Sequence, residues 1–321
     1  MNISGLMKIV LVLLSVIVVL IMAGPRVKID ETINPVPLPQ NLDQFLIDRE
    51  SQFTDIIPGA EKKIIWAGAP GTRTEVALVY IHGFSATRQE TAPLADSVAR
   101  HVGANLYYTR MVGHGRTGDA MLAGNVNAWL NGTFAAFEIG KRLGEKVIMI
   151  GVSTGATAAT WLAAQSDSDA LAVCILISPN FFPADKTATI LTWPWGQQIA
   201  ELMIGKERHW EGENSEHDRY WTNRYPTAAL LPMMGLVKLV ASKDLGEIKT
   251  PMLVIASPQD QVVSFAATQK TFASFGSQAK KLIPYEKSQD PFQHILAGDI
   301  LSPDTTREVA DMIIGFILEN I

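Results

Sequence analysis

Gly151-Val152-Ser153-Thr154-Gly155 stands where an apolar run, residues 146–150, gives way to an alanine-rich helical one, residues 156–164. A serine between two glycines at such a switch is the pattern of a nucleophile elbow. The turn is tight, and the glycines remove Cβ atoms that would collide with the neighbouring strand and helix. A serine hydroxyl is a poor nucleophile unaided, so a base must lie within hydrogen-bond reach and a carboxylate must orient that base. Asp260 follows the apolar run 252–257 in the loop Ser257-Pro258-Gln259-Asp260-Gln261, and His294 lies between a strand ending at Tyr285 and the last helix. Serine, aspartate and histidine thus come in that order, each after a separate strand.

Every one of these residues has a plainer reading. Ser153 could simply cap the helix that follows, and Asp260 after Pro-Gln has the composition of an ordinary turn. Asp290 is the rival carboxylate, but beside Pro291 it reads as loop capping. His209 and His217 are the rival bases; both lie in the polar stretch 207–218 and read as solvated surface. Acyl transfer also needs two backbone donors aimed at the tetrahedral oxyanion. One is the N–H of Thr154, next to the serine. The other comes from His82-Gly83-Phe84, directly after the apolar strand 76–81, with Phe84 N–H as the candidate, Gly83 permitting close approach and His82 fixing the turn. Gly113-His114-Gly115 reads as a second turn at the same edge, with His114 shaping the loop. The histidines and carboxylates lack paired ligand spacing, and no glycine-rich phosphate loop or dinucleotide fingerprint follows the first strand, so neither metal nor cofactor is expected.

The elements that must position these groups alternate along the chain. Strand patterns cover residues 63–67, 74–81, 105–110, 146–150, 171–177, 252–257 and 280–285; helical ones cover 92–102, 126–143, the elbow helix, 265–275 and 307–318. Apolar strands joined by crossover helices imply an α/β fold with a mostly parallel sheet covered on both faces. Residues 179–245 break the alternation and are rich in proline and tryptophan (Trp193, Trp195, Trp210, Trp221), far longer than an ordinary connection. They read as a lid, whose tryptophans either wall an apolar substrate or pack the lid onto the sheet.

The net charge of −5 provides no basic footprint for nucleic acid. Cys174, the sole cysteine, excludes an intramolecular disulfide and lies in an apolar run, as a buried small hydrophobe would. Residues 9–23 are almost wholly apolar behind Lys8, which points to a single-pass N-terminal membrane anchor. The alternatives are an interfacial role or a signal peptide leaving a secreted or periplasmic enzyme, although Ile21 before Ala23 makes a poor cleavage site. The organisation expected is an anchor or signal segment over 1–30, a proline-rich spacer and N-terminal helix over 31–60, and a catalytic domain over 61–321 with the lid near 180–245.

Taken together, Tyr80-Ile81-His82-Gly83-Phe84, Gly113-His114-Gly115, the elbow, Leu176-Ile177-Ser178-Pro179, residues 257–263 and His294-Ile295-Leu296 resemble the α/β-hydrolase superfamily. Within it they resemble the monoglyceride-lipase, lysophospholipase and carboxylesterase-like branch. The resemblance implies an eight-stranded sheet with a lid after the sixth strand, and Ser153, Asp260 and His294 as nucleophile, orienting acid and base. Thr154 departs from the bulkier or charged residue usual after the serine. The expected activity is hydrolysis of carboxylic esters, of short acyl chains or monoacyl lipids. The scaffold also hosts other chemistry. A serine aminopeptidase is the alternative, with Glu207, Glu211, Glu213 and Glu216 available to hold a substrate amine; an inactive binding protein on the same fold is another.

Overall fold

The protein is described as a computed structural model covering residues 3–165 and 170–321. In chain order it forms α1 (Ile3–Met22), α2 (Leu42–Glu50), β1 (Lys63–Ile65), β2 (Thr74–Ile81), α3 (Leu94–Val102), β3 (Asn105–Tyr108), α4 (Val126–Leu143), β4 (Gly144–Val152), α5 (Thr154–Ala163) and β5 (Leu171–Ile177). An insertion follows, with α6 (Gly196–Ile204), β6 (Glu207–His209), α7 (Ser215–Tyr220), β7 (Arg224–Pro226) and α8 (Leu230–Ala241). The chain then returns through β8 (Met252–Ala256), α9 (Phe265–Ser274), β9 (Lys280–Pro284) and α10 (Thr306–Asn320).

The central strands are buried on both faces, as a parallel sheet between two helical layers requires. Side chains alternate across each strand, so neighbours in sequence feed different cores. Ala77, Val79, Ile81, Val147 and Met149 join one core with α4, α5 and α8, whereas Leu78, Tyr80, Ile148, Ile150 and Val152 join another with α3 and α10. The strand order is β1-β3-β2-β4-β5-β8-β9, parallel throughout except that β1 runs antiparallel to β3. The sheet therefore has seven strands rather than the eight implied by resemblance, and the insertion follows the fifth. The seven segments with strand patterning account for the whole sheet, and the chain ahead of β1 turns at Gly59, whose φ is +97°.

The expectation of a single-pass anchor is corrected by the structure: among the described residues no helix is long and apolar enough to cross a membrane. The physical reason is length. The apolar run after Lys8 spans about 22 Å at roughly 1.5 Å per residue, short of a hydrocarbon core about 30 Å thick. Beyond α1 the chain lies along the domain. Trp195 donates from its backbone N–H to Pro25 O at 2.9 Å and from Nε1 to Leu20 O at 3.1 Å. Asn127 Nδ2 donates to Thr32 O at 2.8 Å, and Lys243 pairs with Glu31.

At the end of β4 the backbone turns sharply into α5. Ser153 has φ of +51° and ψ of −115°, a conformation that costs a non-glycine residue on the order of 1–3 kcal/mol. Its neighbours make the turn possible. A Cβ on Gly155 would lie 2.2 Å from Ile81 O, and one on Gly151 would lie 2.6 Å from Ala156 Cα. The loss of Gly155 should therefore be felt throughout the domain. We expect Gly155→Ala to destabilise the fold by about 3 kcal/mol or more in urea unfolding, whereas Gly132→Ala, at an exposed position of α4 with nothing within 4 Å of the added methyl, should stabilise it by about 0.5–1 kcal/mol.

Candidate active site

Ser153 stands at the N-terminus of α5, yet its side chain caps nothing there. The hydroxyl is thus unspent, and it opens on a cavity of about 490 Å³ between the strand ends and the insertion. Glu90, Thr154, Asn180 and His294 line the same cavity.

His294 and Asp260 meet directly. Nδ1 of the imidazole is 2.8 Å from Asp260 Oδ2, and the carboxylate is held by the N–H groups of Val262 and Val263, which donate to Oδ1 at 2.8 and 2.9 Å. Asp260 thus spends one oxygen on the turn and the other on the imidazole. Asp290 acts on the backbone instead. Its Oδ2 accepts from the N–H groups of His294 and Ile295 at 2.9 and 2.8 Å, which fixes the loop that carries the imidazole. Burial alone would push the His294 pKa down; the Asp260 carboxylate, with Asp290 and Glu90 further off, outweighs it and holds the pKa above the ordinary value. Ser153 and His294 face one cavity without a hydrogen bond between them, a contact of the kind that tightens when substrate is bound.

Across from the serine, two groups fix the loop after β2. His82 Nδ1 lies 2.8 Å from Gly83 O, and its Nε2 accepts from Met111 N–H at 3.0 Å, so Nδ1 carries the proton and donates. With the Gly83 carbonyl held on that side, the trans peptide turns the Phe84 N–H the other way. Glu90 Oε1 accepts from Gly83 N–H at 2.8 Å and from the Tyr80 hydroxyl at 2.9 Å. Neither Phe84 N–H nor Thr154 N–H has a partner among the described residues. Gly83 is needed here, since a Cβ would lie 2.9 Å from Glu90 Oε2 and 3.2 Å from Ser153 Cβ.

Residues 72–289 match the family described as serine aminopeptidase, S33. The chain belongs to that family of α/β hydrolases. The chain is also 23% identical over 215 residues to the thermostable monoacylglycerol lipase of Bacillus sp. (strain H-257), covering 66% of this chain and 82% of that one. Among solved structures it resembles one described under LipS and LipT, two metagenome-derived lipolytic enzymes, at TM-score 0.67 and 21% identity over 83% of this chain and 100% of that one. It also resembles the monoglyceride lipase of Saccharomyces cerevisiae, at TM-score 0.59 and 14% identity over 81% and 90% of the two chains. The solved structures speak for the fold.

The other histidines divide. His82 and His114 are both sealed in the interior; burial drives the first down to about 4 and the second well below its ordinary value. His209 is exposed on β6. His217, read from sequence as solvated surface, is instead buried and lines the cavity, because α7 folds its polar face outward and turns this ring inward between two tryptophans. The insertion's tryptophans likewise divide: Trp210 and Trp221 line the cavity, while Trp193 and Trp195 stay 49% and 40% exposed. Cys174 is buried, its thiol pushed up to about 12 by burial.

Glu90 is the residue that sequence reasoning missed. In Arg88-Gln89-Glu90-Thr91 it looks like surface, yet it is 1% exposed, and burial raises its pKa to about 8 against the lowering pull of Gly83 N–H, Tyr80 and His294. The only forewarning was Tyr80, a phenol at the end of an otherwise apolar strand that needs a polar partner. A carboxyl raised from 4.5 to about 8 is protonated in the fold where it would be ionised in the unfolded chain. Its contribution to stability is therefore full below pH about 4.5 and lost as pH rises to about 8, at a slope on the order of 1 kcal/mol per pH unit. Denaturant unfolding across that range should show wild type losing stability relative to Glu90→Gln; parallel curves would exclude a neutral Glu90.

Proposed function

We propose that the protein is a serine hydrolase of carboxylic esters, acting on short acyl esters or monoacyl lipids through an acyl-enzyme on Ser153. The observation that carries this reading is the Asp260–His294 hydrogen bond on a loop facing the same cavity as the strained, unspent Ser153. The monoacylglycerol lipase relative supports the substrate class.

Ser153 Oγ attacks the ester carbonyl carbon while its proton passes to His294 Nε2. The carbonyl oxygen, now an oxyanion, takes hydrogen bonds from the N–H groups of Phe84 and Thr154, which have no other partner among the described residues. Collapse of the tetrahedral species breaks the bond to the alcohol oxygen, which leaves with the proton from His294. Water then attacks the acyl-enzyme by the same route, giving up a proton to His294. The second collapse returns that proton to Ser153 Oγ and frees the acid. Throughout, Asp260 keeps the proton of the resting imidazole on Nδ1 and offsets the charge the ring acquires.

The insertion supplies the apolar surroundings an acyl chain requires: Leu191, Ala200, Leu230 and Met233 line the cavity. The family description also admits an aminopeptidase, in which a cavity acid would hold the substrate amine. Of the four glutamates available only Glu211 lines the cavity; Glu207 pairs with Arg224 at 3.1 Å and Glu216 with Arg219 at 3.9 Å. Turnover of aminoacyl anilides with no turnover of esters would replace the ester reading with that one.

Ser153→Ala should abolish both p-nitrophenyl ester turnover and labelling by a fluorophosphonate probe, and labelling that persists would sink the assignment. The pH profile tests the pair behind the serine. His294 must be neutral to accept a proton and its pKa is raised, so kcat/KM should climb as pH rises through a value above the usual imidazole range near 6.5. Asp260→Asn removes the chief upward pull, moving that acid limb to lower pH and lowering kcat by about 10³–10⁴-fold.

A further inference from the structure

Two apolar clusters wall the cavity. One is built by the insertion's own apolar side chains, packed as a cluster around Leu191, Ala200, Leu230 and Met233. The other joins Trp221 of the insertion to Ile295, the residue after His294, and to Leu301. On the proposed mechanism His294 hands its proton to the departing alcohol, so the alcohol half of the ester lies beside the His294 loop and the acyl half against the insertion's own cluster.

His217 stands at the second cluster. Its ring is packed between Trp210, at 4.9 Å between centroids, and Trp221, at 4.5 Å. The backbone N–H of Glu213 donates to His217 Nδ1 at 3.1 Å, so the neutral ring carries its proton on Nε2. Burial keeps the ring neutral by lowering its pKa, against the opposing pull of Asp290, Glu213 and Asp218. Nε2 has no hydrogen-bond partner among the described residues, and it is not one of the sealed polar atoms that lack one. It is a donor with one fixed tautomer, held rigidly between aromatic walls and left open.

We propose that His217 Nε2–H is the anchor for the leaving alcohol. It donates a hydrogen bond to a hydroxyl oxygen of that alcohol, and so favours monoesters of polyols over esters of plain alkyl alcohols with the same acyl chain. This rests on the ester-hydrolase reading of Ser153. A site built to bond a substrate hydroxyl discriminates against the analogue that lacks it, because the buried donor is then covered without an acceptor.

The test compares kcat/KM for 1-monooctanoylglycerol and propyl octanoate in wild type, His217→Phe and His217→Gln. Wild type should prefer the glycerol ester. In His217→Phe the preference should fall about tenfold, with the loss borne mainly by the glycerol ester. His217→Gln, whose amide N–H reaches about where Nε2–H stood, should recover most of it. If both esters lose equally, if neither changes, or if Gln does no better than Phe, the anchor is wrong; should the Phe variant fail to fold, His217→Leu takes its place. Failure of the underlying reading looks different: wild type would hydrolyse neither ester, or Ser153→Ala would hydrolyse both.

Discussion

The site depends on one close approach, that of the first turn of α5 to the end of β2. With no Cβ on Gly155, the helix starts directly against the carbonyls of Ile81 and His82, where an added methyl would lie 2.2 and 2.6 Å away. That approach holds Ser153 in its strained conformation. It also brings together two backbone donors from opposite sides of the contact, Thr154 N–H from the helix and Phe84 N–H from the loop that β2 runs into. A single packing constraint therefore fixes both the Ser153 backbone and the two unpartnered N–H groups beside it.

Around that contact the ionisable groups are sorted by burial. His82, His114 and Glu90 are all sealed in the interior and all pushed toward their neutral forms, whereas His294 is pushed the other way by the carboxylate at its back. Neutral groups orient the loop through hydrogen bonds without placing a fixed charge beside a developing oxyanion. Asp260 and His294 are left as a hydrogen-bonded pair in which the carboxylate favours the charged ring. Environments that drive neighbouring titratable groups apart are a common mark of acid–base chemistry.

Much of this was legible in the chain. Strands buried on both faces announce themselves as continuous apolar runs, and β2, β4, β5 and β8 carry runs of that kind, whereas β1 and β9 at the two edges are only partly buried. The placing of Ser153, Asp260 and His294 after separate strands follows from the same pattern, since loops at one edge of a parallel sheet converge. Glu90 and His217 were hidden because each lies in a locally polar stretch, and only tertiary packing turns the side chain inward. For His217 a faint sign existed: Trp221 stands four residues on, at helical spacing, so the ring had an aromatic neighbour on its own face. The N-terminal run misled for a different reason. Its composition is that of a membrane span, but its uninterrupted length is not.

The insertion touches the oxyanion loop itself: Thr222 N–H donates to Ser85 O at 2.7 Å, and the Phe84 ring packs edge-on against Tyr225 at 5.6 Å. Access and competence are thereby tied to one another. If residues 220–226 swing away to admit a bulky ester, the loop carrying Phe84 loses two of its tethers at the same moment. The placement of residues 220–226 and the order of the loop after β2 are thus coupled through the same two contacts.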